Sequence, residues 1–139
     1  MTVGVYGLSP EQCEELWPII HPFLAAALLK GSPVPETTPE KLLEDLKGGL
    51  SQGWMALDGE EPIAFMNTYV AETPVCTRLV IENIAGNDMD SWLPFYESVE
   101  EHAREIGVDQ IFIRGRPGWA RVLKDQGFES QYVALAKTL

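Results

Sequence analysis

The hydrophobic positions along the chain change period repeatedly, and each change marks an element. Residues 2–6, Thr-Val-Gly-Val-Tyr, read as a short strand. From Ser9 the spacing becomes helical. Ser9 suits an N-cap, Pro10 the first helical position and Gln12 the third, which is the pattern of a capping box. Leu16, Ile19, Ile20, Phe23, Leu24 and Leu28 then recur at helical spacing. Pro18 and Pro22 fall inside that pattern and each removes a backbone donor, so a kinked or broken helix is expected. Gly31 is placed to end it. Residues 31–39 carry three prolines within seven positions and form a loop. A second helix starts at Thr38-Pro39-Glu40, with Leu42, Leu43, Leu46 and Leu50 as its apolar stripe and Gly48-Gly49 near its end.

After Gly53 the period becomes extended. Residues 53–57 form a strand, Asp58-Gly59 a turn, and residues 62–70 the return strand of a hairpin. Thr73-Pro74 makes another turn, and residues 75–85 form a third, longer strand. Asp90 or Ser91 caps a helix running to Ile106, with Phe95, Val99, Ala103 and Ile106 on one side and Gly107 as its stop. Residues 109–114 are nearly all apolar, a strand expected to be covered on both faces. Pro117 opens a last helix that stops at Gly127, with Phe128 positioned to pack back, and residues 132–137 form a final strand. The order is β-α-α-β-β-β-α-β-α-β. The strands flanking the 91–106 helix should run parallel through a crossover, and the others should pair as hairpins. The fold class is therefore α/β, with a mixed central sheet and helices on its faces.

Length and charge narrow the function. A chain of 139 residues fits one domain, 1–139, and is large enough to need no staple. Its 21 acidic residues against 10 basic ones give a formal net charge of -11, which disfavours general nucleic-acid binding. Cys13 and Cys76 lie far apart and read as two free thiols in a reducing compartment. The longest apolar run, residues 23–29, is too short to cross a bilayer, so no membrane partner is expected. No basic n-region opens the chain, so no signal peptide is expected and the reading is a cytoplasmic protein. The oligomeric state stays open, and a homo-oligomer is compatible with the sequence.

The segment 111–128 reads Ile-Phe-Ile-Arg-Gly-Arg-Pro-Gly-Trp-Ala-Arg-Val-Leu-Lys-Asp-Gln-Gly-Phe. It and the element order resemble the GNAT acyltransferase superfamily. The Arg-Pro-Gly-Trp-x-Arg-Val-Leu-Lys pattern looks most like the small GNAT-like proteins of tailed phages and prophages, which would place the chain in a host-cell cytoplasm or a virion. The resemblance implies a GNAT-like mixed sheet and acetyl-CoA or another acyl-CoA as cofactor, although the residues themselves do not require one. Active members carry Gln/Arg-x-x-Gly-x-Gly/Ala ahead of the crossover helix, where backbone N–H groups wrap the CoA pyrophosphate. The equivalent residues 84–92 hold one glycine, Gly86, no basic residue, and Asp88 and Asp90. Those aspartates suit a helix N-terminus and repel a phosphate there. The family's second signature is an Asn at the start of the last helix and a Tyr four residues before its terminal Gly, the Tyr protonating the leaving thiolate. The corresponding positions here are Arg116 and Leu123, and leucine has no proton to give.

Several side chains remain as candidates. Arg114, Arg116, Arg121 and Lys124 are four of the ten basic residues, gathered in one short stretch. They read as an anion site for a CoA-like or acidic ligand, Arg114 and Arg116 above all, or more plainly as a solvated face paired with surrounding acids. Glu82 and Asn83 are a polar pair in an apolar strand. In several GNAT enzymes a Glu on this strand is the general base for the amine substrate, so Glu82 is the catalytic candidate and Asn83 a ligand-binding one. Glu72 is a weaker candidate of the same kind. His21 and His102 have no partners at metal-ligand spacing, and no metal site is expected. Trp17, Trp54, Trp92 and Trp119 are spread over different elements and read as packing. Two functions follow. One is a GNAT-fold protein without acetyl transfer, serving a binding, virion-associated or host-interaction role toward a protein partner. The other is an acyl-CoA-dependent N-acyltransferase with a non-standard CoA site, acting on a small-molecule amine.

Overall fold

The helix start at Ser9 forms as its side chains dictate. Its Oγ accepts from the Gln12 backbone N–H at 3.1 Å, and Gln12 Oε1 accepts from the Ser9 N–H at 2.9 Å. These two bonds close a capping box. The computed structural model describes residues 3–31, 37–86, 92–114 and 123–139. In it, α1 (Pro10–Glu15) stops at Leu16 and α2 (Trp17–Gly31) restarts at once. The break lies just before Pro18, which thus falls in the first turn of α2, where a missing N–H costs nothing. Pro22 stays inside α2. Thr38 Oγ1 accepts from the Lys41 N–H at 3.2 Å and opens α3 (Pro39–Lys47).

Five strands form one sheet in the order of the chain: β1 (Val3–Leu8), β2 (Gln52–Asp58), β3 (Glu61–Glu72), β4 (Thr77–Gly86) and β5 (Gln110–Ile113). The first three pairings are antiparallel and the β4–β5 pairing is parallel, with α4 (Trp92–Ile106) as the crossover. This is the mixed sheet and the parallel pair expected from the period changes.

The sheet is covered on both faces, as the run Trp54-Met55-Ala56, buried throughout, requires. Cys13, Ile20, Leu24, Leu42 and Leu46 from α1–α3 pack on Met55 and Phe65. On the other face Val99 and Ala103 of α4 pack on Trp54, Ala56, Ala64, Met66, Leu79 and Ile81. The His102 ring meets Trp54 edge-on at 5.2 Å, and His21 meets Trp17 in the same way at 5.6 Å. Burial of Cys13 pushes its thiol up from 9.0 to about 11. The folded state therefore disfavours the thiolate, so this contribution to stability is complete below about pH 9 and is lost as pH rises toward 11. Urea midpoints should fall over that window in the wild type and fall less in Cys13→Ala; parallel curves for the two proteins would contradict this.

Three expectations need correction. Leu50 is exposed, because α3 ends at Lys47 and Gly49 turns the chain with φ 77. Ile106 is also largely exposed at the last turn of α4, and among the described side chains Tyr96, Val99 and Ala103 form that helix's buried stripe. The strand expected over residues 132–137 does not form. Residues 128–139 have no regular structure, because a strand needs a partner and no described strand pairs with them. Gly127 does take the left-handed cap (φ 88), and Phe128 packs back onto Tyr96 with ring centroids 5.5 Å apart. The helix start at Pro117 and the caps Asp90 and Ser91 lie outside the described residues.

Candidate functional site

The site begins at an irregularity in β4. Thr68 of β3 pairs with Ile81 and Asn67 with Asn83, so Glu82 is an extra residue, a β-bulge. A bulge increases local twist and re-aims its strand. The pairing of β4 with β5 ends at the same point, at Ile81–Ile113, while β4 continues to Gly86. Among the described residues β4 therefore runs on beyond its pairing with β5, and a cleft of about 2160 Å³ lies alongside. It is bordered by residues of α2, α3, β3, β4, α4 and β5 and by residues of the 123–136 segment. In open α/β sheets, ligands bind in such crevices at the carboxyl ends of strands.

The bulge is held by a polar network that the hydrophobic pattern does not reveal. Asn67 is 0% exposed. Its Nδ2 donates to Ser51 Oγ at 3.0 Å and to Glu82 Oε1 at 2.9 Å, and its Oδ1 accepts from Asn83 Nδ2 at 3.0 Å. Ser51 Oγ donates in turn to the Thr68 carbonyl at 3.1 Å. On the opposite face of the sheet Thr68 Oγ1 accepts from Trp54 Nε1 at 3.1 Å and donates to Gln52 Oε1 at 3.2 Å. No buried side-chain polar atom among the described residues is left without a partner. The Glu82 carboxylate is thus fixed by amide donors at the border of the cleft, the geometry expected of a general base or of a hydrogen-bonding site for a ligand.

Glu82, Asn83, Arg114 and Lys124 all border this one cleft. Arg116 and Arg121 lie outside the described residues, as does the Asp88–Asp90 segment. Glu72 is not among the cleft residues. Lys41 and Arg104 border the cleft too, each beside a carboxylate: Lys41 lies 3.1 Å from Asp45, and Arg104 lies 3.2 Å from Glu100. Asp45 holds the Lys41 ammonium above its ordinary range. Sequence reasoning missed Ser51, Asn67 and Tyr96. The available signal for Asn67 was two polar residues, Asn67-Thr68, in the middle of an apolar strand.

Two described positions bear on the chemistry of the cleft. Leu123, where the resemblance calls for a proton-donating Tyr, is 3% exposed and packs against Tyr96. Tyr96 is the phenol next to that position. Burial, with Glu100 beside it, pushes it up to about 12. Its proton is thus held more tightly than that of an ordinary phenol. Gly86, the one glycine of the expected phosphate loop, is the last residue of β4 and pairs with Ala64. A Cβ at Gly86 would come within 2.8 Å of the Ala64 Cβ, so strand packing already accounts for this glycine.

The fold is like that of several solved acetyltransferase structures. Over 99% of this chain and 96% of its own length, an aminoglycoside acetyltransferase from an uncultured soil metagenomic sample, solved with sisomicin, superposes with a TM-score of 0.69 at 18% identity. A ribosomal-protein-alanine N-acetyltransferase from Brucella melitensis biovar Abortus 2308 superposes with a TM-score of 0.70 at 14% identity, covering 99% of this chain and 100% of its own. Aminoglycoside N-acetyltransferase AAC(6')-Iy in complex with CoA gives 0.70 at 12% identity, covering 99% of this chain and 95% of its own. The fold is GNAT-like. At these identities the likeness carries the fold and not the activity. No protein-family model matches the sequence, and no curated protein matches it.

Proposed function

We propose that residues 1–139 act as one GNAT-like domain that binds an anionic or CoA-like ligand, or an acidic partner, in the β4–β5 cleft without transferring an acyl group. The observation that carries this reading is Leu123, buried against Tyr96 at the position where a proton donor would stand. Leu123 has no proton to give a departing CoA thiolate, so the general acid that the resemblance calls for is missing at that position. The packing of Gly86 against Ala64 at the end of β4 supports the same reading. The likeness of the 111–128 segment to phage and prophage proteins supports a virion-associated or host-interaction role, in the virion or the host cytoplasm.

A second reading is favoured by the Glu82 network: an acyl-CoA-dependent N-acyltransferase. In that case the Glu82 carboxylate takes a proton from an ammonium and the freed amine attacks the thioester carbonyl. The C–S bond then breaks, the nitrogen of the new amide gives its second proton to water, and the departing thiolate takes one back from the same solvent. Proximity in the cleft would carry much of the rate.

Binding is tested by calorimetric titration with acetyl-CoA and desulfo-CoA, with melting temperature as a second readout, because a ligand of the native state must raise it. A charged hydrogen bond to a phosphate contributes about 1.5–3 kcal/mol, so Arg114→Ala should weaken binding about tenfold or more. Arg116→Ala should do the same. Lys47→Ala, whose side chain pairs with Glu14 away from the cleft, should change nothing. Equal affinity for the wild type and both arginine variants would reduce the cluster to a solvated face.

A further inference from the structure

Arg78, near the start of β4, is a half-buried guanidinium that pairs with no carboxylate among the described residues. Its Nε donates to Gln110 Oε1 at 2.8 Å, and its Cζ lies 4.6 Å from the centroid of the Phe112 ring. Both partners are neutral, so the charge is oriented without being compensated. The Nε bond leaves the terminal nitrogens, whose fork matches a carboxylate, to a ligand. This is unexpected in a chain with 21 acidic residues against 10 basic ones. Lys41, Lys47 and Arg104 each lie beside a carboxylate. A half-buried charge without a countercharge costs folding free energy, a cost folds keep where a ligand brings the countercharge.

We infer that Arg78 binds the carboxylate of a dipolar ligand whose ammonium group meets Glu82, the ligand class being a short peptide with both ends free. Glu82 mirrors Arg78. Its Oε1 accepts from the amides of Asn67 and Asn83, and no described cation stands beside it. Both charges belong to one face of the sheet. Val80 pairs with Tyr69 of β3 and with Phe112 of β5, so these three side chains share a face, and strand alternation puts Arg78 and Asn67 on it too. Glu82 joins that face through its bond to Asn67. Tyr69, Val80, Gln110, Phe112 and Glu82 all border the cleft, and Arg78 lies at its end against Gln110 and Phe112. From Arg78 to Glu82 along the strand is about 13 Å at about 3.3 Å per residue. The ends of an extended peptide of roughly three or four residues are that far apart. Between the charges the row Tyr69–Val80–Phe112 offers an apolar floor, which suits apolar side chains in the middle of the peptide. The inference rests on the reading above only for the place of Glu82 in the cleft, and it holds whether or not CoA binds.

The test is calorimetric titration of the full chain, without acetyl-CoA, with the free tetrapeptide Ala-Leu-Leu-Ala, its C-terminal amide and its N-acetyl form. The expected result is that the free peptide binds and that each blocked form binds about tenfold or more weakly, since each loses a charged hydrogen bond. Arg78→Ala should bind the free peptide and its amide equally and still prefer the free amino end to the acetylated one. Glu82→Gln should show the reverse pattern. Melting curves establish that both variants are folded, and the blocked peptides put the same question to the unaltered protein. A wild type that binds none of the three peptides, or that binds the free peptide and either blocked form equally, overturns the inference. An Arg78→Ala variant that keeps the wild-type preference for the free carboxyl end overturns it as well. CoA is absent from this titration, so such a failure is distinct from a failure of acetyl-CoA to bind at Arg114 and Arg116.

Discussion

Asn67→Leu should lower the unfolding free energy by about 3 kcal/mol, although the new side chain is close in size to the old one. Asn67 is fully buried and makes three side-chain hydrogen bonds, one of them to a carboxylate. Neutral bonds of this kind contribute about 1 kcal/mol net and charged ones about 1.5–3. Leucine would also leave the amide of Asn83 and one oxygen of Glu82 without the partner that holds them at the bulge. The melting temperature should fall by about 10 °C for a chain of this length. Any ligand contact made through Glu82 should weaken in Asn67→Leu even at temperatures where the variant is folded. A variant with wild-type melting and wild-type ligand affinity would show that the network is incidental.

Phe65→Ala should cost more, about 3–5 kcal/mol, as large-to-small changes of buried aromatics do when the site cannot collapse. Phe65 is 0% exposed in the middle of β3 and packs with Cys13, Ile20, Leu24, Leu42, Leu46 and Met55. Its ring lies where a Cβ on Gly53 would be only 3.2 Å away, so β2 and α1 have already closed around it. The backbone of a central strand has little freedom to move into the gap. Urea unfolding should show a lower midpoint with an unchanged slope, and a midpoint shift worth under about 1 kcal/mol would contradict this packing account.

The parts of the fold that depend on local chemistry were readable along the chain. Ser9 with Gln12, Thr38 with Pro39, and the left-handed Gly127 with Phe128 packing behind it all form as their residue types require. The period changes also located β2 to β5 and the parallel β4–β5 pair. Tertiary chemistry was less visible. Glu82 and Asn83 stood out as polar residues in an apolar strand. That Glu82 is a bulge, and that Asn67 and Ser51 hold it, depends on partners 15 to 16 positions away across strands, which no periodicity reports. Leu50 follows the helical spacing of Leu42 and Leu46 but lies beyond the Gly49 turn, so its spacing misled. Residues 132–137 have the composition of a strand, but composition cannot supply the neighbouring strand on which pairing depends.

The most direct test of a cleft that binds without transferring is a thiol-release assay. The full chain is incubated with acetyl-CoA and either sisomicin or a peptide with an N-terminal alanine, and free CoA is followed over many equivalents of protein. With Leu123 at the donor position, the account predicts release no faster than in buffer, with acetyl-CoA recovered intact from the protein. Release over many turnovers with either acceptor, abolished by Glu82→Gln, would contradict it and establish the acyltransferase in its place.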